Sequence, residues 1–251
     1  MKKVLFATTA LVATASVAAA DVRISGYGRF GLDYNSFNEN NAASAGYNGV
    51  SSTTITSRLR IQFDASAETD GGVAFNARVR MQSESRDNNP GLDAGGGGDN
   101  GFNGARFGVS YAGLTVNVGN IIGAMENAPG MYLGTRSAGT GIDGMGYANT
   151  PILASWDAYS SSGMGVNGVE ALYTTGGFTG HISYSGRNDV AAGVSGEDRT
   201  AVMVTYSWND YYGTLAYQSS NVAANDDLIF VALGGEWNQF GASIAYGDAP
   251  V

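Results

Sequence analysis

Residues 55–64 read Ile55-Thr-Ser-Arg-Leu-Arg-Ile-Gln-Phe-Asp64, and the alternation in this stretch decides the fold class. Ile55, Leu59, Ile61 and Phe63 fall on one parity, while Thr56, Arg58, Arg60, Gln62 and Asp64 fall on the other. Successive side chains of a strand point to opposite faces, so the segment is a strand with one apolar and one charged face. The segments on either side repeat the pattern. From Val22, one parity carries Val22, Ile24, Gly26, Gly28, Phe30 and Leu32, and the other Arg23, Ser25, Tyr27, Arg29, Gly31 and Asp33. Next, Val73, Phe75, Ala77, Val79 and Met81 alternate with Asn76, Arg78, Arg80, Gln82 and Glu84. A soluble antiparallel sheet would alternate in the same way, so the period alone does not choose a membrane.

Composition and the start of the chain narrow the choice. Among 251 residues there are 38 glycines and 14 tyrosines but 4 prolines and no cysteine, which favours strands and excludes a small disulfide-stapled fold. Met1-Lys2-Lys3, an apolar run from Val4 to Val17 and then Ala18-Ala19-Ala20 before Asp21 have the order of a secretory signal peptide, with cleavage expected after Ala20. The run is too short to span a bilayer as a helix, and no later stretch approaches the roughly 20 apolar residues that a spanning helix needs. In a membrane, strands must carry the chain. Cleavage removes Lys2 and Lys3, the two lysines of the chain, and leaves 11 arginines against 22 acids, a net charge of −11. That balance argues against a nucleic-acid partner.

Further strands are expected at 104–111, 114–120, 167–174, 178–186, 199–208, 213–219, 228–237 and 240–247, making about eleven. The connections alternate between long and short: 35–52 long, 67–72 short, 85–103 long and glycine-rich, then a tight turn at Gly113. Such alternation marks outer-membrane barrels, with short periplasmic turns and long external loops. It also settles Ile152 to Tyr159, which could pass for a strand. Counting it would place the Gly176-Gly177 turn outside and the 187–198 loop in the periplasm. Residues 121–166 are therefore assigned to one external loop, the third, of about 45 residues, a length that implies a function for it. The exported domain is 21–251.

Six of the eleven mature arginines, Arg23, Arg29, Arg58, Arg60, Arg78 and Arg80, share the polar parity of the first three strands and form one wall. Facing lipid they would be prohibitive, whereas lining a water-filled lumen they create a local positive field. The bland alternative is cross-strand pairing with Asp33, Asp64 and Glu84 on a soluble sheet. The third loop offers Glu126, Asp143 and Asp157, and folded inward it would set acids opposite the arginines; the alternative is a loop over the mouth with its acids solvated. Apolar-face aromatics Tyr34, Phe63, Tyr111, Tyr184, Tyr206, Trp208, Tyr217, Trp237 and Tyr246 fit interfacial girdles. Gly26-Tyr-Gly-Arg-Phe-Gly31 spells a dinucleotide-binding pattern but lies inside a strand, so it is discounted. His181 is the only histidine and is expected to be a lumen-facing bystander. Ordinary zinc sites and histidine-based triads lack parts, and no catalytic residue is assigned. Asp93 and Asp99, flanking Gly95 to Gly98, leave calcium as a weak expectation; the metal site is unknown and no other cofactor is expected.

Ser25-Gly-Tyr-Gly-Arg-Phe-Gly-Leu32, Ile55-Thr-Ser-Arg-Leu-Arg-Ile61, Glu68-Thr-Asp-Gly-Gly72, Arg78-Val-Arg-Met-Gln82 and Leu114-Thr-Val-Asn-Val-Gly-Asn120 together resemble the alphaproteobacterial general-diffusion porins of the Rhodobacter type. The resemblance is close from 21 to about 127 and looser afterwards. It implies an all-β, sixteen-stranded antiparallel transmembrane barrel, a homotrimer in outer-membrane lipid, passing ions and small hydrophilic solutes by diffusion. It implies that Arg29, Arg58, Arg60, Arg78 and Arg80 match the family's basic wall, that Glu126 lies where its constriction acids begin, and that calcium binds near the constriction. The chain departs from the family at Gly247-Asp-Ala-Pro-Val251, which lacks a terminal aromatic residue. An odd count of eleven strands would leave two open edges, so the expectation is a barrel about five strands, or roughly 60 to 70 residues, short of closure. A twelve-stranded barrel is the alternative. The reading from another class is an exported surface or periplasmic β-sheet protein that binds a ligand, which would need no detergent.

Overall fold

The computed structural model describes residues 17–34, 36–84, 101–132, 149–150, 152, 154–161, 163–186 and 196–249. Eleven strands are found among them: β1 (Val17–Tyr34), β2 (Thr53–Thr69), β3 (Ala74–Glu84), β4 (Arg106–Tyr111), β5 (Leu114–Asn120), β6 (Asn167–Thr175), β7 (Phe178–Gly186), β8 (Asp198–Trp208), β9 (Tyr211–Ser220), β10 (Leu228–Trp237) and β11 (Phe240–Asp248). They form one antiparallel meander in chain order, each strand bonded to the next, with no β1–β11 pairing among the described residues. β1 begins at Val17, four residues ahead of the expected cleavage point, and Ala20 pairs with Ala67; residues 1–16 of the expected signal peptide lie outside the described residues.

Short turns close one end of the sheet. The β4–β5 and β8–β9 hairpins turn on two residues, Ala112-Gly113 and Asn209-Asp210, with Ala112, Gly113 and Asn209 at positive φ. Left-handed conformations match the twist of the flanking strands, so such a turn lets pairing run to its edge. This is why β9 starts at Tyr211, two residues earlier than the alternation predicts. Long connections leave the other end, as expected, and 152–159 contains no strand among its described residues.

The sheet is apolar on its outer face. Ile24, Phe30, Leu32, Ile55, Phe107, Val204, Leu215, Val231 and Ile244 are all exposed, Phe30 by 92%. The other face of the same strands carries Arg78, Arg106, Asn117, Glu170, His181, Ser183, Thr205, Thr214 and Gln218, most of them buried. A water-soluble sheet protein would bury the first set and solvate the second. Inverted burial is what a lipid-facing wall requires. Aromatic rings edge the outer face at two levels: Phe178 and Tyr184 on β7, Tyr211 and Tyr217 on β9, and Phe240 and Tyr246 on β11 are each six residues apart. At about 3.4 Å per residue they bracket roughly 20 Å of strand, the scale of the apolar band of a tilted barrel wall. At the turn end Tyr206, Trp208, Tyr211 and Trp237 form a continuous row with centroids 5.7 to 6.0 Å apart. Phe63, on the same parity as Ile55 and Leu59, is partly exposed and packs edge-on against the exposed Phe102 at 5.8 Å.

The described residues between 121 and 161 share the hydrophobic core with the strands. Ala124, Met125, Ala128 and Met131 pack on the inner face of β8–β10 against Ala201, Met203, Ala216, Leu228, Phe230 and Ala232. Tyr132, Ile152, Ala154 and Trp156 border the cluster. The segment reaches β11, where the Asn149 amide donates to Ser243 Oγ at 2.9 Å, and returns past Gln218, which donates to the Ser155 carbonyl at 2.9 Å. It then crosses β3–β5 before β6 begins.

Candidate functional site

The inner face of β1–β4 is an arginine wall whose register follows from the strand pairing. Arg23, Asp64, Arg78 and Arg106 lie on one cross-strand line, Ser25, Gln62 and Arg80 on the next, and Tyr27, Arg60 and Gln82 on the third. Arg29 opposes Arg58 on the fourth; the side chain of Arg29 lies outside the described residues. Strands about 4.8 Å apart would force like charges together; Asp64, Gln62 and Gln82 relieve part of this, while Arg78 stays beside Arg106 and Arg29 opposite Arg58. Asp64 Oδ1 accepts from Arg78 Nε at 2.6 Å and Gln62 Oε1 from Arg80 Nε at 2.7 Å. Gln82 Oε1 accepts from Arg58 Nε (3.1 Å), Arg58 Nη2 (2.8 Å) and Arg60 Nε (3.1 Å). The Tyr27 ring lies 5.9 Å from each of those two guanidinium carbons. Arg23 is exposed at the turn side of the wall. For Arg78 the cross-strand charge pair with Asp64 is therefore real, and the wall is mixed rather than purely basic.

The loop meets this wall with an aromatic ring and hydroxyls. Tyr159 lies 4.5 Å from the Arg80 guanidinium carbon and 5.6 Å from that of Arg106, close enough for both cations to use one ring face or edge. Ser161 Oγ accepts from Arg80 Nη1 at 3.1 Å, and the Ser160 carbonyl accepts from Asn120 Nδ2 at 3.0 Å and from Asn103.

The expected acids stand elsewhere. Glu126 Oε2 accepts from the Tyr132 hydroxyl at 2.5 Å and from Trp156 Nε1 at 2.9 Å, inside the loop's own fold. Asp157 is buried and pairs with Arg199 Nη1 at 3.0 Å, on β8 and away from the arginines of β1–β3. Asp143, Asp93 and Asp99 lie outside the described residues. The expectation of loop carboxylates against the arginine wall is corrected for Asp157, because a nearer guanidinium claims it, and for Glu126, whose described partners are neutral. His181 is corrected too: it faces inward but is only 4% exposed, bonded to Glu170 at 3.2 Å rather than facing open solvent.

Four residues that the sequence did not single out complete the site. Arg106, Glu170, Tyr159 and Arg199 each join the loop to a strand. Arg106 could have been found by carrying the register of Arg78 one strand further; Glu170 is the lone acid on the inward parity of β6. Arg199 is held by Glu197 Oε1 (2.9 Å) and Oε2 (2.5 Å) as well as by Asp157. Burial pushes the Glu197 carboxyl up, but hydrogen bonds from Asn225 and Arg199 outweigh it and hold it below its ordinary 4.5. A carboxyl depressed on folding contributes stability that is complete above its unfolded value and is lost as pH falls through the folded one. Acidification below about 4.5 should therefore loosen the 155–157 arm, read as faster amide exchange at Ser155 and Trp156, and Glu197→Gln should reduce that pH dependence.

A meander with an apolar outer face, a charged inner face and a long loop packed inside it defines a channel wall of an outer-membrane β-barrel. Residues 7–250 match the family model described as Gram-negative porin, and the chain belongs to that family. It is 29% identical over 225 residues to the porin of Fuscovulum blasticum, spanning 88% of this chain and 71% of that protein. A variant of the Rh. blastica porin superposes with a TM-score of 0.68 at 26% identity, over 91% of this chain and 74% of the other. A structure described as "Asymmetric conductivity of engineered proteins" gives 0.69 at 26% identity, over 92% and 75%. The protein is a Gram-negative porin of the outer membrane.

Proposed function

We propose that ions and small hydrophilic solutes pass by diffusion between the arginine wall of β1–β4 and the loop 121–166, and that the passage favours anions. The observation that carries this is Arg80. It stands where the wall meets the loop, and the Gln62, Ser161 and Tyr159 side chains that it contacts are all uncharged. A guanidinium held by neutral acceptors keeps its field, whereas Arg78 beside Asp64 is offset. Passage without strong binding needs such a field and no covalent chemistry. The homotrimer and the surrounding lipid implied by the family resemblance, and a leader ending at Ala20, are part of this reading; N-terminal sequencing of protein extracted from outer membranes should begin at Asp21.

The test is the reversal potential across a planar bilayer in a salt gradient. Arg78→Gln together with Arg80→Gln should move it toward cation preference. An unchanged reversal potential in channels of normal conductance would remove the arginine wall from the passage.

A further inference from the structure

We infer that Glu170 is the positioning residue that fixes the root of the 121–166 loop to the inner wall and so keeps the channel in one conductance state. β5 ends at Asn120; Ile121 still donates to the Val166 carbonyl at 3.4 Å, and beyond it the ladder stops. The next three N–H groups are captured by side chains of the wall. Ile122 and Gly123 donate to Glu170 Oε2 at 3.2 and 3.0 Å, and Ala124 donates to Ser183 Oγ at 2.9 Å. Glu170 Oε1 accepts from Asn117 Nδ2 at 2.9 Å and lies 3.7 Å from Arg106 Nη1, while His181 Nε2 lies 3.2 Å from Oε2. His181 Nδ1 in turn lies 3.4 Å from Asn127 Nδ2, further along the loop.

This carboxylate is saturated from β4, β5, β7 and the loop at once, and its side chain is 1% exposed. Burying a charge is costly, and an apolar residue would often give equal stability. What an apolar residue cannot give is an acceptor with two oxygens directed at backbone donors, which allows one placement of the root. The placement carries onward to the arginine wall. Gly123 sits at φ +86°, and a Cβ there would come within 2.7 Å of the Asp157 carbonyl oxygen, so the root and the returning arm are locked against each other. Two residues after Asp157, Tyr159 lies on Arg80. A root free to move would thus disturb the contact that borders the passage.

The inference rests on the loop bordering the passage, and its test is separable from the reversal-potential test above. Single channels of the protein purified from outer membranes are recorded for the native chain, for Glu170→Gln, and for Glu170→Gln carrying Ala124→Cys and Ser183→Cys. The chain has no cysteine, so the introduced pair is the sole cross-link, closed as a disulfide or with a short bis-thiol reagent. Only channels from protein that migrates as a folded barrel are scored. Glutamine keeps the shape but supplies one acceptor oxygen, and losing one charge-assisted hydrogen bond should raise the frequency of subconductance transitions about tenfold. Closing the cross-link should return the quiet native trace, and reductant should restore the transitions of the disulfide form. Quiet Glu170→Gln channels, or transitions that persist with the cross-link closed, would overturn the inference. Failure of the reversal-potential test with these results intact would instead overturn the anion-selective reading and leave the latch standing.

Discussion

Val204→Arg is expected to destabilise the folded protein in lipid by about 2–4 kcal/mol, the cost of a guanidinium on the lipid face near the bilayer midplane. Val204 lies on the outer face of β8, paired with Gly180 and Leu215, midway between the two levels of aromatic rings. An arginine there cannot reach either interface without dragging its strand, and its neighbours Leu215 and Val231 offer no acceptor. The matched control is Ser25→Arg. Ser25 faces inward on the Gln62–Arg80 line, so a new guanidinium there meets like charge but no lipid, and its cost should stay well below that at Val204. Urea unfolding from vesicles measures both. A periplasmic or surface β-sheet protein predicts the reverse, because the exposed face of a soluble sheet tolerates arginine. Equal costs at the two positions would sink the inside-out assignment of the faces.

The strands were legible because burial on a single face imposes a period of two, and a one-residue slip would put Arg58 and Arg60 in lipid. The ends were less so. The stretch 104–111 alternates throughout, yet β4 begins at Arg106, since the Gly104 N–H is claimed by the Gly163 carbonyl at 2.9 Å. Side-chain direction within the loop left no trace, because no period relates Glu126 or Asp157 to a face. Each acid was taken by the nearest complementary group, Tyr132 with Trp156 in one case and Arg199 in the other, and those groups become neighbours only through folding. Glu170 and His181 carried a weaker signal: both fall on the inward parity, and in the observed register Glu170 stands between Asn117 and Ser183. Reading that line needs the register of three strands, which the alternation of one strand does not fix.

The last expectation concerns the segment where alternation breaks down. Leu228-Ile-Phe-Val-Ala-Leu233 is apolar on both parities, which no wall between lipid and water should be. The structure gives the reason: Leu228, Phe230 and Ala232 point inward but meet the loop rather than water, and Phe230 is 0% exposed among Met125, Met131 and Met203. The inner half of β10 is thus a soluble-type core built inside a membrane wall, and packing there holds the loop where Glu170 holds its root. Phe230→Ala should cost about 3–5 kcal/mol, the transfer loss plus the cavity left under three methionines. The loss falls on docking of the loop rather than on the ladder, since the backbone bonds of β10 to β9 and β11 involve no side chain. External protease should therefore cut within 121–166 in Phe230→Ala vesicles while the remaining strands stay protected. Ile229→Ala, on the opposite parity and facing lipid, is the control: it leaves the loop uncut, because lipid chains refill the space that the methionines cannot. Protection of the loop in Phe230→Ala would mean that its polar anchors at Glu170, Ser183 and Arg199 suffice without the apolar core.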